Sequence, residues 1–343
     1  MDKLKYSKYE WLVVIQNINS GNIYNVTHMT NRIEQTSEWM TGMAGTLELE
    51  LVITPDNNIT WLTKARNGLD EKHGHLVQFS VDNKIQFKGY ITKVAHEGKH
   101  IVRVTARDQI FYLKSKDILY TENMTASEIF TDICKRKSRM VYRVDTPATK
   151  VLDPYYHGTD YTMFAAIKLA IDKANIAEEK QYLIRDEMGV LVFTELSKLL
   201  TNLQLGDNEY VFASQYESSI EYAVYNHVRA FRANEEIGMF DTWVVKDSET
   251  INRWGQLNLL FEVDTCMTDA EIIALTEKKL EFYNSPKETL TISALGHLDI
   301  HACNGIRLNI GNLDLSGSFW ITHCKHIYKN NYHTMDLELF YVA

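Results

Sequence analysis

At 343 residues the chain exceeds the usual single domain, and roughly two or three modules are expected. Hydrophobic residues at 45% and charged residues at 24%, with no low-complexity tract, describe a chain that folds throughout. A formal charge of −9 leaves no basic excess to neutralise a phosphate backbone, which argues against DNA or RNA as a partner.

The only early apolar run, Trp11 to Ile15, is too short for a signal-peptide core or a spanning helix. The chain therefore reads as made and kept in the cytoplasm, without membrane insertion. Cys134, Cys266, Cys303 and Cys324 form no CxxC pair, so they read as reduced thiols.

Residues 1–117 carry strand signals. Leu47, Leu49, Leu51 and Ile53 alternate with polar neighbours, the period-2 pattern of a strand with one wet face. Val77, Phe79 and Val81 repeat the pattern, and Asp82-Asn83 marks a tight turn into a returning strand with Ile85 and Phe87.

Over 118–205 the period changes. Thr125-Ala126-Ser127-Glu128 is a capping box that opens a helix with Ile129, Phe130, Ile133 and Cys134 on one face. A second helix is expected from near Thr162 to Ala174, with Phe164, Ile167, Ala170 and Ile171 turned inward. Tyr182 to Ile184 and Val190 to Phe193 flank Arg185-Asp186-Glu187 and Gly189 as a hairpin. This stretch reads as an inserted α/β domain.

Residues 206–343 return to strands, with one helix at about 268–283. Its start is the box Thr268-Ala270-Glu271 with Asp269, its body carries Ile272, Leu275, Lys279 and Phe282, and Pro286 closes it. Strands follow over Leu290 to Leu295, Ile306 to Ile310, Phe319 to Cys324 and Met335 to Val342. The fold class is α+β, mainly β.

An internal repeat links the two β-rich ends. Gly74 to Ala106 runs strand, turn, Ile91-Thr92-x-x-x-His96, turn, strand, and Gly305 to Leu339 repeats the order with Ile321-Thr322-x-x-x-His326. The first and third modules are thus expected to be two similar small β-barrels.

Phe87-Lys88-Gly89-Tyr90-Ile91, then Val102 to Asp108 and Leu113, resembles the first barrel of phage late control protein D and XkdQ/YqbQ-like baseplate hub proteins. Thr125 to Ile129 and Tyr182 to Asp186 with Gly189 resemble that family's inserted domain. Ser316 to Ile321 with His326 and His333-Thr334-Met335 is similar to its terminal hairpin. The resemblance implies a homotrimeric structural hub in the baseplate of a contractile phage tail or R-type bacteriocin. Its partners would be the hexameric tail tube, the central spike and other baseplate proteins.

The resemblance implies no catalytic residue and no cofactor. The residues agree: there is no Gly-x-Ser-x-Gly elbow, and Gly42, Gly45 and Gly68 are too far apart to cradle phosphate. Glu178-Glu179 and Glu235-Glu236 read as solvated surface. The alternative, a tail-associated cell-wall hydrolase, calls for a module beyond the hub core, and the resemblance already runs nearly to Ala343. His297, His301, Cys303, His323, Cys324, His326 and His333 crowd the C-terminal region in types that bind zinc or iron. Strand alternation leaves only Cys324 with His326, or His323 with Lys325, on a common side, so no metal site is assigned. Tyr155, Tyr156 and His157, beside Pro154, are the candidate interface cluster, because Tyr joins large area to a polar tip.

Overall fold

A computed structural model describes residues 10–39, 42–54, 72–157, 162–206, 210–234, 238–263, 268–330 and 332–341. Strands β1 (Trp11–Gln16), β2 (Ile23–Asn25), β3 (Thr30–Glu38), β4 (Thr46–Val52), β5 (Leu76–Val81), β6 (Lys84–Glu97) and β7 (Ile101–Arg107) form the first part. The middle adds β8 (Leu119–Thr121), β9 (Tyr142–Val144), β10 (Tyr155–His157), β11 (Tyr182–Asp186) and β12 (Leu191–Glu195). Then come β13 (Leu200–Gly206), β14 (Val211–Ser219), β15 (His227–Asn234), β16 (Met239–Lys246), β17 (Asn258–Glu262), β18 (Lys287–Leu295), β19 (Gly305–Ile310), β20 (Leu315–Lys329) and β21 (Tyr332–Tyr341). The chain divides into two compact units, Met1–Ser214 with Thr291–Ala343, and Gln215–Leu290.

Local chemistry accounts for the elements read from sequence. Asp82 and Asn83 both take positive φ, 48° and 63°, which twists the β5–β6 turn to match its strands. Thr125 and Thr268 each close a reciprocal capping box, opening the helices Ala126–Lys135 and Asp269–Tyr283. Thr162 caps Met163–Glu178, four residues longer at its C-terminus than the apolar face suggested. In the helix Asp269–Tyr283, Ile272 is buried but Phe282 is 76% exposed, so the helical stripe is narrower than its sequence implied.

The first large unit is built on a 13-stranded sheet with the path β14-β18-β21-β20-β3-β4-β7-β6-β5-β1-β2, while β13 joins through β19. Within it, β3-β4-β7-β6-β5-β1 is the first module. Val13 and Ile15 of β1 and Ile33 of β3 stand at opposite ends of this ladder yet share one core with Leu49, Phe79 and Val104. The ladder therefore curls on itself, and among the described residues its two ends do not pair.

The second module, β14-β18-β21-β20-β19-β13, has the same strand order. In chain order β1, β3, β4, β5, β6 and β7 answer to β13, β14, β18, β19, β20 and β21. The match reaches the irregularities. Register slips at Thr92, between Ile91↔Ala106 and Lys93↔Thr105, and at Thr322, between Ile321↔Leu339 and His323↔Glu338. Each bulged threonine donates its hydroxyl to the carbonyl beyond the slip, Thr92 to Thr105 at 3.3 Å and Thr322 to Glu338 at 3.1 Å. Ile91 bonds the backbone of Gly74 and His75 as Ile321 bonds Cys303 and Asn304. One difference stands: β1 is antiparallel to β5, whereas β13 is parallel to β19.

The modules meet at β3 and β20, where Arg32 to Glu38 pair antiparallel with Lys329 to His323. Tyr328 of β20 is fully buried in the first module's core, edge-on to Phe79 at 4.9 Å and to Trp11 at 5.9 Å. Between the modules in sequence, helices Ala126–Lys135 and Met163–Glu178 pack with β9, β11 and β12 around Phe130, Ile167 and Phe193.

The second unit holds the sheet β16-β15-β17 and the helix Asp269–Tyr283, with Ala230, Val263 and Ile272 as its core. Trp243 lies under Arg232, its guanidinium 5.0 Å from the ring centroid. The short helix Ser248–Trp254 was not foreseen in the sequence; Asp247 caps it through Glu249 and Thr250 N–H.

Tyr328 is the test of the junction. Tyr328→Ala should destabilise the chain by about 3–5 kcal/mol, the range for emptying a large aromatic site, as read by chemical denaturation. A loss below about 1 kcal/mol would show that the two modules do not share a core there.

Candidate functional site

Three places gather chemistry-bearing side chains. The first is a half-open polar cavity of about 250 Å³, formed by β3, β6, the turn after β7, the β11–β12 hairpin and the loop before β19. Gln35, Gln86, Asp108, Arg185, Asp186 and His301 line it.

Asp108 ends β7 and caps the turn that follows. One carboxylate oxygen accepts from Ile110 N at 2.9 Å and the other from Gly45 N at 2.7 Å. Asp186 ends β11 and accepts from Gly189 N at 2.7 Å and from Gln109 N at 3.4 Å. Gln109, between them, accepts from Val141 N at 2.7 Å and donates to Val141 O at 3.0 Å. Together these residues stitch the α/β region to the first module through backbone groups.

Burial, and then the charge of Asp186, raises the Asp108 carboxyl well above the usual range. Burial likewise raises Asp186 to about 6. The charge of Asp186 thus adds to the cost of ionising Asp108. Glu187 holds Arg185, whose Nε donates to it at 2.9 Å. Gln35 donates to Gln86 O at 2.9 Å. Gln35 Oε1, Gln86 Nε2, Arg185 Nη1 and His301 Nε2 have no hydrogen-bond partner among the described residues, so the cavity offers both donors and acceptors.

The second place is a histidine chain behind the same loop. His326 Nε2 is 2.7 Å from Ile300 O, so this nitrogen carries the proton, and Nδ1 then accepts from His333 Nε2 at 2.9 Å. Cys324 Sγ lies 3.2 Å from His326 Nε2. Burial lowers His326 to about 4, His333 to about 2 and His301 well below its ordinary value, and it raises the Cys324 thiol. The chain is a neutral relay packed into the fold.

Cys324 and His326 share a side, as alternation required. The expectation that strand alternation leaves Cys324 only His326 as a companion is corrected in one respect: His301 and His333 join this pair, because the loop 296–304 folds over β20 and β21. Among the described residues, no three His, Cys, Asp or Glu side chains converge as metal ligands. Cys134, Cys303 and Cys324 are free, buried thiols, and Cys266 lies outside the described residues.

The third place is the strand Tyr155–His157, which pairs antiparallel with Leu119–Thr121. The side chains of Tyr155, Tyr156 and His157 lie outside the described residues, as does the Glu235-Glu236 pair. Tyr120 beside them is 58% exposed. The cavity escaped the sequence reading. Arg185-Asp186-Glu187 reads in sequence only as a hairpin turn, and nothing local announces that Asp108 and Asp186 line one cavity.

Comparison with known proteins fits this architecture. The sequence model of the YQBQ-like family matches residues 35–340. The uncharacterized protein YqbQ of Bacillus subtilis strain 168 is 24% identical over 278 residues, covering 78% of this chain and 81% of that one. XkdQ, a protein of the phage-like element PBSX of the same strain, is 22% identical over 281 residues with the same coverage. Among solved structures, the 43 kDa tail protein of prophage MuSo2 from Shewanella oneidensis superposes with a TM-score of 0.70 at 14% identity, over 97% of this chain and 98% of that one.

The carboxyl pair has a pH signature. A folded pKa of about 6 for Asp186 means that its stabilising share is present below pH 4 and is lost as pH rises through about 6. Asp186→Asn removes this loss. Relative to the parent, the variant should gain on the order of 2 kcal/mol between pH 4 and pH 7.5, on top of a constant cost for the weaker acceptor. Thermal melts across that range decide: a difference that does not change with pH contradicts the buried, raised carboxyl.

Proposed function

Because this chain belongs to the YQBQ-like family, we propose that it is a structural component of a phage tail or tail-like particle, the baseplate hub that adapts a sixfold tail tube to a threefold spike. The observation that carries this reading is the double use of one module. Identical subunits close into rings, and a tube of sixfold symmetry cannot make equivalent contacts with three single modules. Three chains with two modules each offer six similar units around one axis, while the remaining regions keep threefold symmetry for a spike. The names of XkdQ, from a phage-like element, and of the MuSo2 tail protein favour the same setting.

Several features support a structural role over a catalytic one. All four oxygens of Asp108 and Asp186 accept backbone N–H groups, so this pair holds segments together. The histidine relay is buried and neutral. Cys303 and Cys324 are buried thiols with raised pKa, the opposite of an activated nucleophile. No helix among the described residues is long and apolar enough to cross a membrane. Tyr155-Tyr156-His157, exposed Tyr120 and the strand pair that carries them are the proposed contact with other baseplate proteins.

Light scattering of the purified chain, alone and with its spike partner, should give a trimer in at least one of the two conditions. Tail particles purified from an induced lysate should contain the chain. A monomer under both conditions, in a protein absent from the particles, would refute the hub reading.

A further inference from the structure

The residues that line the polar cavity all fall within the larger compact unit. Its carboxylates Asp108 and Asp186 are committed to backbone N–H groups. Other polar atoms of its wall are not used by the fold: Gln35 Oε1, Gln86 Nε2, Arg185 Nη1 and His301 Nε2 have no hydrogen-bond partner among the described residues. Gln35 and Gln86 are only 4% and 3% exposed. A buried polar group without a partner weakens a fold, so several around one space point to a guest that completes them.

We infer that this cavity binds a compact neutral polyol, about the size of one sugar ring, whose hydroxyls complete the unpartnered atoms of Gln35, Gln86, Arg185 and His301. The inference does not depend on the hub reading.

Size and charge select the class. The volume of about 250 Å³ falls just short of the roughly 300–1,000 Å³ of pockets for drug-sized ligands, so the guest is smaller than those. An anion would be set against Glu38, Asp186, Glu187 and Asp299, and Glu187 already holds Arg185, the wall's guanidinium. A metal ion fits no better: among the described residues no three His, Cys, Asp or Glu side chains converge as ligands, and Arg185 opposes a cation. A neutral guest avoids both conflicts.

The polar atoms also suit hydroxyls. Gln35 Oε1 accepts, whereas Gln86 Nε2 and Arg185 Nη1 donate. Burial keeps His301 neutral, so its Nε2 donates in one tautomer and accepts in the other. A hydroxyl does both and matches either tautomer, which a group of fixed polarity does not. Phe87 and Ile110, both buried, add apolar surface to the same wall for the C–H faces of a ring. The four atoms come from β3, β6, β11 and the loop 296–304, so one guest would tie the first module to the α/β region and to the loop before β19. Such a guest binds only the folded arrangement and therefore stabilises it.

The test uses the purified full chain with D-glucose, D-galactose, D-ribose and N-acetyl-D-glucosamine as probes, and with sodium phosphate and calcium chloride as ionic controls. With each probe at about 10 mM, at least one sugar should raise the melting temperature by about 2 °C or more. The same sugar should receive magnetisation from the protein in saturation-transfer NMR. Gln86→Met removes an unpartnered donor and leaves the bond from Gln35 to the Gln86 carbonyl in place. His301→Phe removes Nε2 and keeps the backbone bond from His301 N to Asn304. Each variant should lose both signals, and either one that folds suffices for the comparison. Absence of both signals for every sugar overturns the inference. So does a sugar signal that survives in the variants, which places the sugar elsewhere, or stabilisation by phosphate or calcium alone, which makes the cavity an ion site. None of these outcomes bears on the hub reading, whose test is the presence of the chain in tail particles.

Discussion

One antiparallel ladder fixes the large unit. β20 belongs to the last module by sequence, yet its C-terminal half pairs with β3, and its Tyr328 completes the first module's core against Phe79 and Trp11. Burying one such aromatic is worth roughly 2–3 kcal/mol, and the shared ladder adds cross-strand contacts along Arg32 to Glu38. The ladder makes the angle between modules a property of the sheet rather than of a linker. The proposed adaptor role, which presents two like surfaces at a set angle, calls for that rigidity.

Polar chemistry around the ladder serves the same purpose. The loop 296–304 lies between the cavity and the histidine relay, and its Ile300 carbonyl is the acceptor for His326. Ala302 N donates to Ser37 Oγ of β3 at 2.9 Å, tying this loop to the first module as well. Asp108, Gln109 and Asp186 then fasten the α/β region. Burying these groups with partners costs little, whereas breaking one partner of a buried set is expensive, so each tie resists loosening at the junction. The opposed shifts of histidine and carboxyl groups also oppose each other in acid. Protonating His326 is penalised below pH 6, while protonating Asp186 is favoured there.

Much of the fold is legible from local signals. Period-2 alternation finds β4 and β5, Asp82-Asn83 finds their hairpin neighbour, and two Thr-x-x-Glu boxes place two helix starts, because each depends on residues within a few positions of one another. The repeat shows in Ile91-Thr92 and Ile321-Thr322, the two bulge sites, since a bulge needs a particular local backbone. The matching of β3 and β4 to β14 and β18 is hidden. Residues 215–290 separate the second pair, and β14 carries exposed aromatic and polar residues where β3 has a buried alternation. The histidine relay is half legible: alternation puts Cys324 beside His326, but the folding-over of Ile300 is a tertiary event without a local sign. Asp108 and Asp186 come to line one cavity for the same kind of reason, through strand ends distant in sequence.

The central claim is that one chain carries two copies of a module held at a fixed angle to build a ring. A cryo-electron microscopy reconstruction of the tail particle around this subunit, computed with threefold symmetry, tests it directly. The account predicts six β modules on one ring at close to 60° steps, alternating first and second, with β3–β20 at every other boundary. Two modules of a chain lying at different radii, or separated along the axis so that no six-membered ring forms, would contradict it.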